Sequence, residues 1–173
     1  MNRKFALLLL TLLLITIIGC TGEKAHISYD FDTYLSEDTI FEQKASIVLP
    51  SKKQLKKFKV ADYYLYDNSG SSFQEGMLRL TVEYSDEKFA NETQRLEDLH
   101  NEKSVGMGGQ FDYNGALYDS FQYRAFEDDI GYCALAYHSC SDSNTISYIV
   151  ISCENLTYMS VEDAISYFPK TED

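Results

Sequence analysis

Tryptophan is absent from this chain, and proline occurs only at Pro50 and Pro169. So little proline excludes a polyproline or proline-rich linker protein. Histidine occurs only at His26, His100 and His138, which leaves few side chains for metal ligation or for general-base chemistry near neutral pH. Basic residues are scarce too: 15 Lys and Arg stand against 27 Asp and Glu, a net charge of −12. Phosphate binding needs a clustered positive field, so that balance excludes nucleic acid as a partner. No Gly-x-Ser-x-Gly, His-Glu-x-x-His or P-loop pattern occurs. The glycine-rich run Ser104–Gly109 is closed by no Gly-Lys-Ser/Thr and reads as a loop.

A long apolar run is present once, at the start. Arg3 and Lys4 precede Phe5–Gly19, which carries no charge. That run is short of the ~20 apolar residues a membrane span needs, and suits a secretory leader. It stops at Ile17-Ile18-Gly19-Cys20, which resembles the lipobox of bacterial lipoproteins. The resemblance implies cleavage between Gly19 and Cys20. It also implies thioether attachment of diacylglycerol to Cys20, with an acyl chain such as palmitate often added to the new amino group. It places the chain on the extracytoplasmic face of a bacterial membrane, held by lipid. Two or more acyl chains suffice for stable anchoring. Removing Arg3 and Lys4 with the leader makes the remaining chain more acidic still, so its body has no electrostatic pull toward an anionic bilayer.

Three segments follow from this reading: a leader over residues 1–19, a lipidated cysteine with a polar tether over 20–44, and one folded domain over 45–173. The tether is acidic and weakly patterned, with Asp30, Asp32, Glu37, Asp38 and Glu42 read as solvated surface. Ala45–Leu49 reads as a short strand ended by Pro50. Lys52, Lys53, Lys56, Lys57 and Lys59 form a basic cluster around Leu55 and Phe58. As a turn of helix it is a solvated face; as a contact it would meet an anionic lipid headgroup or wall polymer and orient the body.

Strict alternation over Met77–Tyr84 puts Leu78, Leu80, Val82 and Tyr84 on one face of a half-buried strand. The period then changes. Behind Ser85, Phe89, Leu96 and Leu99 share one face of a helix of about four turns. Asn114-Gly115 is the preferred pair for a tight hairpin turn between two strands. A second hairpin joins Ile130–Cys140 to Ile146–Cys153, and a capped helix over Val161–Phe168 ends before Pro169. Strands in hairpins with helices between and after them indicate an α+β domain, a mostly antiparallel twisted sheet covered by helices.

Ser46-Ile47-Val48-Leu49-Pro50, the strand pair around Asn114-Gly115-Ala116, and the closing helix Val161–Phe168 resemble the PsbP-like α/β/α sandwich. That resemblance implies a binding or assembly module with no catalytic residues. A cystatin-like α+β domain is the alternative.

Centring the second hairpin on Ser143 sets Cys133 opposite Cys153, with Leu135 opposite Ile151 and Tyr137 opposite Ile149. The cysteine pair is then close enough for a disulfide in an oxidising exterior, or else a pair of small buried thiols. By the same parity His138 and Cys140 point to the other face, so the four cannot gather around one zinc and no metal is expected. Tyrosine is abundant, with 14 copies. Tyr63, Tyr64 and Tyr66 lie on one strand beside the lysines, and adjacent residues of a strand face opposite ways. Together with Lys52, Lys53, Lys56 and Lys57 they form the candidate binding surface. The expectation is a lipid-anchored, non-enzymatic binding or assembly module without a cofactor, whose partner is another envelope protein. A small-ligand-binding lipoprotein and a cell-envelope hydrolase are the alternatives; the hydrolase would need a pocket joining His138 or His100 to a carboxylate.

Overall fold

The alternation of Met77–Tyr84 is realised as the third strand of a seven-stranded antiparallel sheet. A computed structural model describes residues 25–36, 39–68, 70, 75–127 and 131–169. Gly19, Cys20 and the whole leader lie outside the described residues, as do Glu37 and Asp38 of the acidic run. The strands are β1 (His26–Ser28), β2 (Lys59–Asn68), β3 (Glu75–Glu83), β4 (Gly109–Tyr113), β5 (Ala116–Tyr123), β6 (Cys133–Cys140) and β7 (Thr145–Ser152). Their order across the sheet is β1-β2-β3-β7-β6-β5-β4. The helices are α1 (Phe31–Ser36), α2 (Ile40–Ala45), α3 (Lys52–Leu55), α4 (Asp86–Lys103) and α5 (Val161–Ile165), with a 3-10 turn over Glu154–Tyr158. Among the described residues, no helix is long and apolar enough to cross a membrane. The expected α+β class, an antiparallel sheet with helices packed on it, is the one observed.

Each face of the sheet has its own core. On the first face Leu65, Leu78, Leu80, Val82, Leu135, Tyr148 and Val150 meet Tyr34 of α1, Phe41 of α2, Leu55 of α3 and Leu96 of α4. On the second face Tyr64, Met77, Ala134, Ala136, Ile149 and Ile151 meet Leu156, Val161, Ala164, Ile165 and Phe168 of the C-terminal segment. Phe89 and Leu99 flank Leu96, as their helical spacing requires. Complete burial of each such large side chain contributes roughly 1.5–3 kcal/mol before ordering costs.

Four expectations are corrected. The polar tether does not extend to residue 44. β1 pairs with β2 through His26↔Asp67, Ile27↔Tyr66 and Ser28↔Leu65, and Tyr34 and Phe41 are fully buried. The edge of β2 takes a partner and the first face takes a cover, and this segment supplies both. Ala45–Leu49 is not a strand. Thr39 and Glu42 form a reciprocal capping box that starts α2, and Phe41, Ala45 and Val48 recur at helical spacing on its buried side. Their continuation is a turn, with Ser46 N donating to Glu42 O at 2.9 Å and Leu49 N to Ala45 O at 3.0 Å. The closing helix also stops earlier than Phe168, at Ile165, and continues as a turn.

The fourth correction is the register of the last hairpin. The pairing runs Cys133↔Ser152, Leu135↔Val150, Tyr137↔Tyr148 and Cys140↔Thr145. It differs by one residue from the expected register, and one residue turns a side chain to the other face. Cys133 belongs to the first-face core, while Cys153 packs against the second. No disulfide joins them: Cys133, Cys140 and Cys153 are all thiols. Cys153 shares the face of His138 and Cys140, but at the opposite end of the strands.

Candidate functional site

The outward face of β3 carries Met77, Arg79 and Thr81, and Arg79 is the cation there. It stands between Tyr64 of β2 and Ile149 of β7 in the sheet register. Its Nε donates 2.8 Å to Oδ2 of Asp62, and its guanidinium lies 5.9 Å from the centre of the Tyr64 ring, within cation–π reach. Burial opposes its charge, but Asp62 and then Tyr113 outweigh burial, so its pKa is raised and it is a permanent cation. The arginine is therefore a fixed group, held by β2 on one side and approached by β4 on the other.

A cleft of about 370 Å³ opens beside it. Met77, Ile165 and Phe168 give it apolar walls; Arg79, Tyr113 and Asn114 bring polar groups; Asp112 and Glu162 stand at its acidic rim. The Asn114-Gly115 turn places the β4 wall. It joins Tyr113 to Ala116 as a two-residue turn with φ of 53° at Asn114 and 78° at Gly115, the conformation that this pair adopts most readily. Tyr113 is braced edge-on by Tyr118 at 5.8 Å, and Tyr118 stacks with Phe111 at 6.0 Å. The opposite wall is placed by Ser160, whose Oγ accepts from Asp163 N at 3.1 Å and so starts α5. Volume, apolar walls and a few convergent polar groups are the usual make-up of a small binding site.

A larger and shallower groove, about 740 Å³, lies on the first face between α1, α3 and β2. Phe31, Leu35, Phe58 and Tyr63 line it, with Asp32, Lys56 and Asp62 at its edges. No histidine lines either concavity. His138 Nδ1 lies 2.8 Å from the Leu117 carbonyl, which can only accept, so that nitrogen holds the proton. His100 stacks on Phe121 at 4.8 Å. Both rings are engaged in packing or local hydrogen bonding, and among the described residues neither is joined to a carboxylate in a pocket.

The candidate surface read from the sequence is not one surface. Tyr63 and Tyr64 point to opposite faces, as strand parity requires, but both are buried because helices cover both faces. Tyr63 packs on Phe31 at 5.5 Å, Tyr64 on Tyr29 at 5.5 Å, and Tyr66 on Phe168 at 5.6 Å. Lys52 is held by Glu42 Oε2 at 3.3 Å and lies over the Tyr34 ring at 4.8 Å. Lys53, Lys56 and Lys57 are exposed on and after the short helix α3, as a solvated face. Arg79, Tyr113 and Asn114 were not legible as a site. The signal available was a lone arginine on the outward parity of the clearest strand. No family model matches this chain, and no curated protein is similar to it at a significant level.

Proposed function

We propose that this chain is a lipid-anchored, non-enzymatic binding module on the outer face of a bacterial membrane, and that the Arg79 cleft receives its partner. The leader and the Ile17–Cys20 box support the address. The observation that carries the activity is the cleft: apolar walls beside a fixed cation, with a polar rim. Such a site seats an apolar group that carries a hydrogen-bond acceptor. The occupant in this reading is a side chain of another envelope protein. A small ligand is the second reading, favoured by a cleft volume of about 370 Å³, within the range of small-molecule sites. The hydrolase reading has no corresponding observation.

We read the sandwich as PsbP-like. Helices on both faces of one antiparallel sheet, the Asn114-Gly115 hairpin and the C-terminal helix support that reading; residues 46–50, which form a turn rather than a strand, do not contribute to it.

Two experiments test the proposal. Cys20→Ser should leave an unprocessed or soluble chain in a detergent-partition assay, and a processed, membrane-bound variant sinks the anchoring. A photo-crosslinking residue at Asn114 should give a specific adduct in intact membranes that a crosslinker at Lys57 does not give and that Ile165→Glu abolishes. Identical adducts at both positions would remove the cleft from the account.

A further inference from the structure

All seven strands run between two poles. At the near pole β1 begins, β2 ends and β3 begins, through His26↔Asp67 and Asn68↔Glu75; β7 ends and β6 begins there, through Cys133↔Ser152. At the far pole are the pairs Lys59↔Glu83, Cys140↔Thr145 and Tyr113↔Ala116. The chain from Cys20 enters β1 at the near pole. Whatever conformation the intervening residues take, six residue steps span at most ~20 Å. A lipid on Cys20 therefore keeps the near pole within that distance of the headgroups, while strands of about eight residues carry the far pole a further ~27 Å.

The exposed apolar and aromatic side chains are distributed unevenly between these poles. Tyr158, which ends the 3-10 turn after β7, is 85% exposed, and Tyr167, which lines a cavity with Glu75 and Cys153 at the near pole, is 71% exposed. Val105 and Met107 are exposed beside Gln122, where Val105 N donates 2.9 Å to the Gln122 carbonyl and Met107 N donates 3.1 Å to Oε1. Phe126 follows the end of β5, and Ile40 follows Thr39, whose Oγ1 donates 2.5 Å to Asp67. Ile27 lies just inside the same pole on β1. Of the other described large apolar residues that are exposed, Leu117 stands by the Asn114-Gly115 turn and Tyr29 against Tyr64. The exposed lysines Lys56 and Lys57 immediately precede Phe58, which packs on Tyr84 at 4.8 Å beside the far-pole end of β3.

We infer that the near pole is a membrane-contacting surface: Tyr158, Tyr167, Phe126, Met107, Val105 and Ile40 touch the interfacial layer of the bilayer to which Cys20 is attached. The inference rests on the anchoring of Cys20. Tyrosine and other amphipathic rings favour the headgroup level, where an apolar body is shielded and the hydroxyl stays wet. Charge adds no attraction, since exposed Glu127 and Glu154 stand at this pole with Lys103 and Arg124. The contact is therefore apolar and shallow. It turns Lys56 and Lys57 away from the lipid and holds the Asn114 wall of the Arg79 cleft toward the exterior.

The absence of tryptophan supplies the test. Tyr158→Trp, Tyr167→Trp and Leu117→Trp are each made in the full chain, purified from bacterial membranes and reconstituted into phosphatidylcholine vesicles with or without brominated acyl chains. The fluorescence of Y158W and Y167W should be quenched at least twofold more than that of L117W, with a blue shift on reconstitution. Equal quenching at all three sites, or none at any, in a chain that partitions into detergent overturns the contact and leaves the anchoring intact. A chain that does not partition into detergent overturns the anchoring and the contact together.

Discussion

The hydroxyl of Tyr148 donates a 2.8 Å hydrogen bond to Oε1 of Glu92, joining the centre of the sheet to helix α4 in the buried core. That phenol has one proton and gives it to the carboxylate, so Tyr84 must donate across the 2.6 Å contact between the two hydroxyls. Arg95 closes the network. Its Nε donates 2.8 Å to Glu92 Oε2, and its Nη2 reaches Oε1 at 2.6 Å and the Val48 carbonyl at 2.8 Å. One carboxylate thus ties β7, α4 and the turn after α2 together. Tyr148→Phe removes the donor and leaves Tyr84 without its acceptor. A loss of about 1–3 kcal/mol in urea unfolding is expected. The loss should be non-additive with Glu92→Ala, because both changes remove the same bond.

Tyr137 gives the pH prediction. Burial first, then the carboxylates of Asp119 and Glu97, pushes its pKa up to about 12. An unfolded tyrosine titrates near ~10. The folded state therefore holds this proton more tightly, and its stabilising contribution is complete below pH ~10 and is lost as pH rises toward ~12. Two units correspond to about 3 kcal/mol. Unfolding free energy measured from pH 9 to 12 should fall more steeply for the wild type than for Tyr137→Phe. Parallel curves would contradict this.

Gly76 has no room for a side chain. A methyl group built on it overlaps the Phe41 ring, which is fully buried in the first-face core. Gly76→Ala should force α2 off the sheet and cost about 2 kcal/mol or more, in the range of overpacked cores. Thermal unfolding reads the loss, and Phe41→Leu in the same chain should restore part of it by giving up the ring.

The thiols should react in a fixed order. Ser143 hydrogen bonds pull the Cys140 thiol down, whereas burial pushes Cys153 up, and Cys133 is buried in the first-face core. Non-reducing mass spectrometry after brief alkylation of the native protein should find Cys140 modified first. After denaturation without reductant, Cys133 and Cys153 should both alkylate. A Cys133–Cys153 disulfide would show the strand register to be wrong.

Local chemistry alone determined much of this protein. Alternation placed Leu78, Leu80, Val82 and Tyr84 on one face, because a strand has a period of two whatever surrounds it. The spacing of Phe89, Leu96 and Leu99 set the face of α4, and Asn114-Gly115 set a hairpin, because these depend only on nearest neighbours along the chain. Tertiary structure decided the rest. The His26–Lys44 segment looked like a tether until β2 offered an edge and the first face needed cover. Tyr63 and Tyr64 both became buried because helices pack on both sides of the sheet, which strand parity cannot reveal. Cys133 and Cys153 were separated by a one-residue register that the hairpin turn and the two cores set together. The Arg79 cleft draws on β3, β4 and α5, three elements remote in sequence, so it exists only once they are packed.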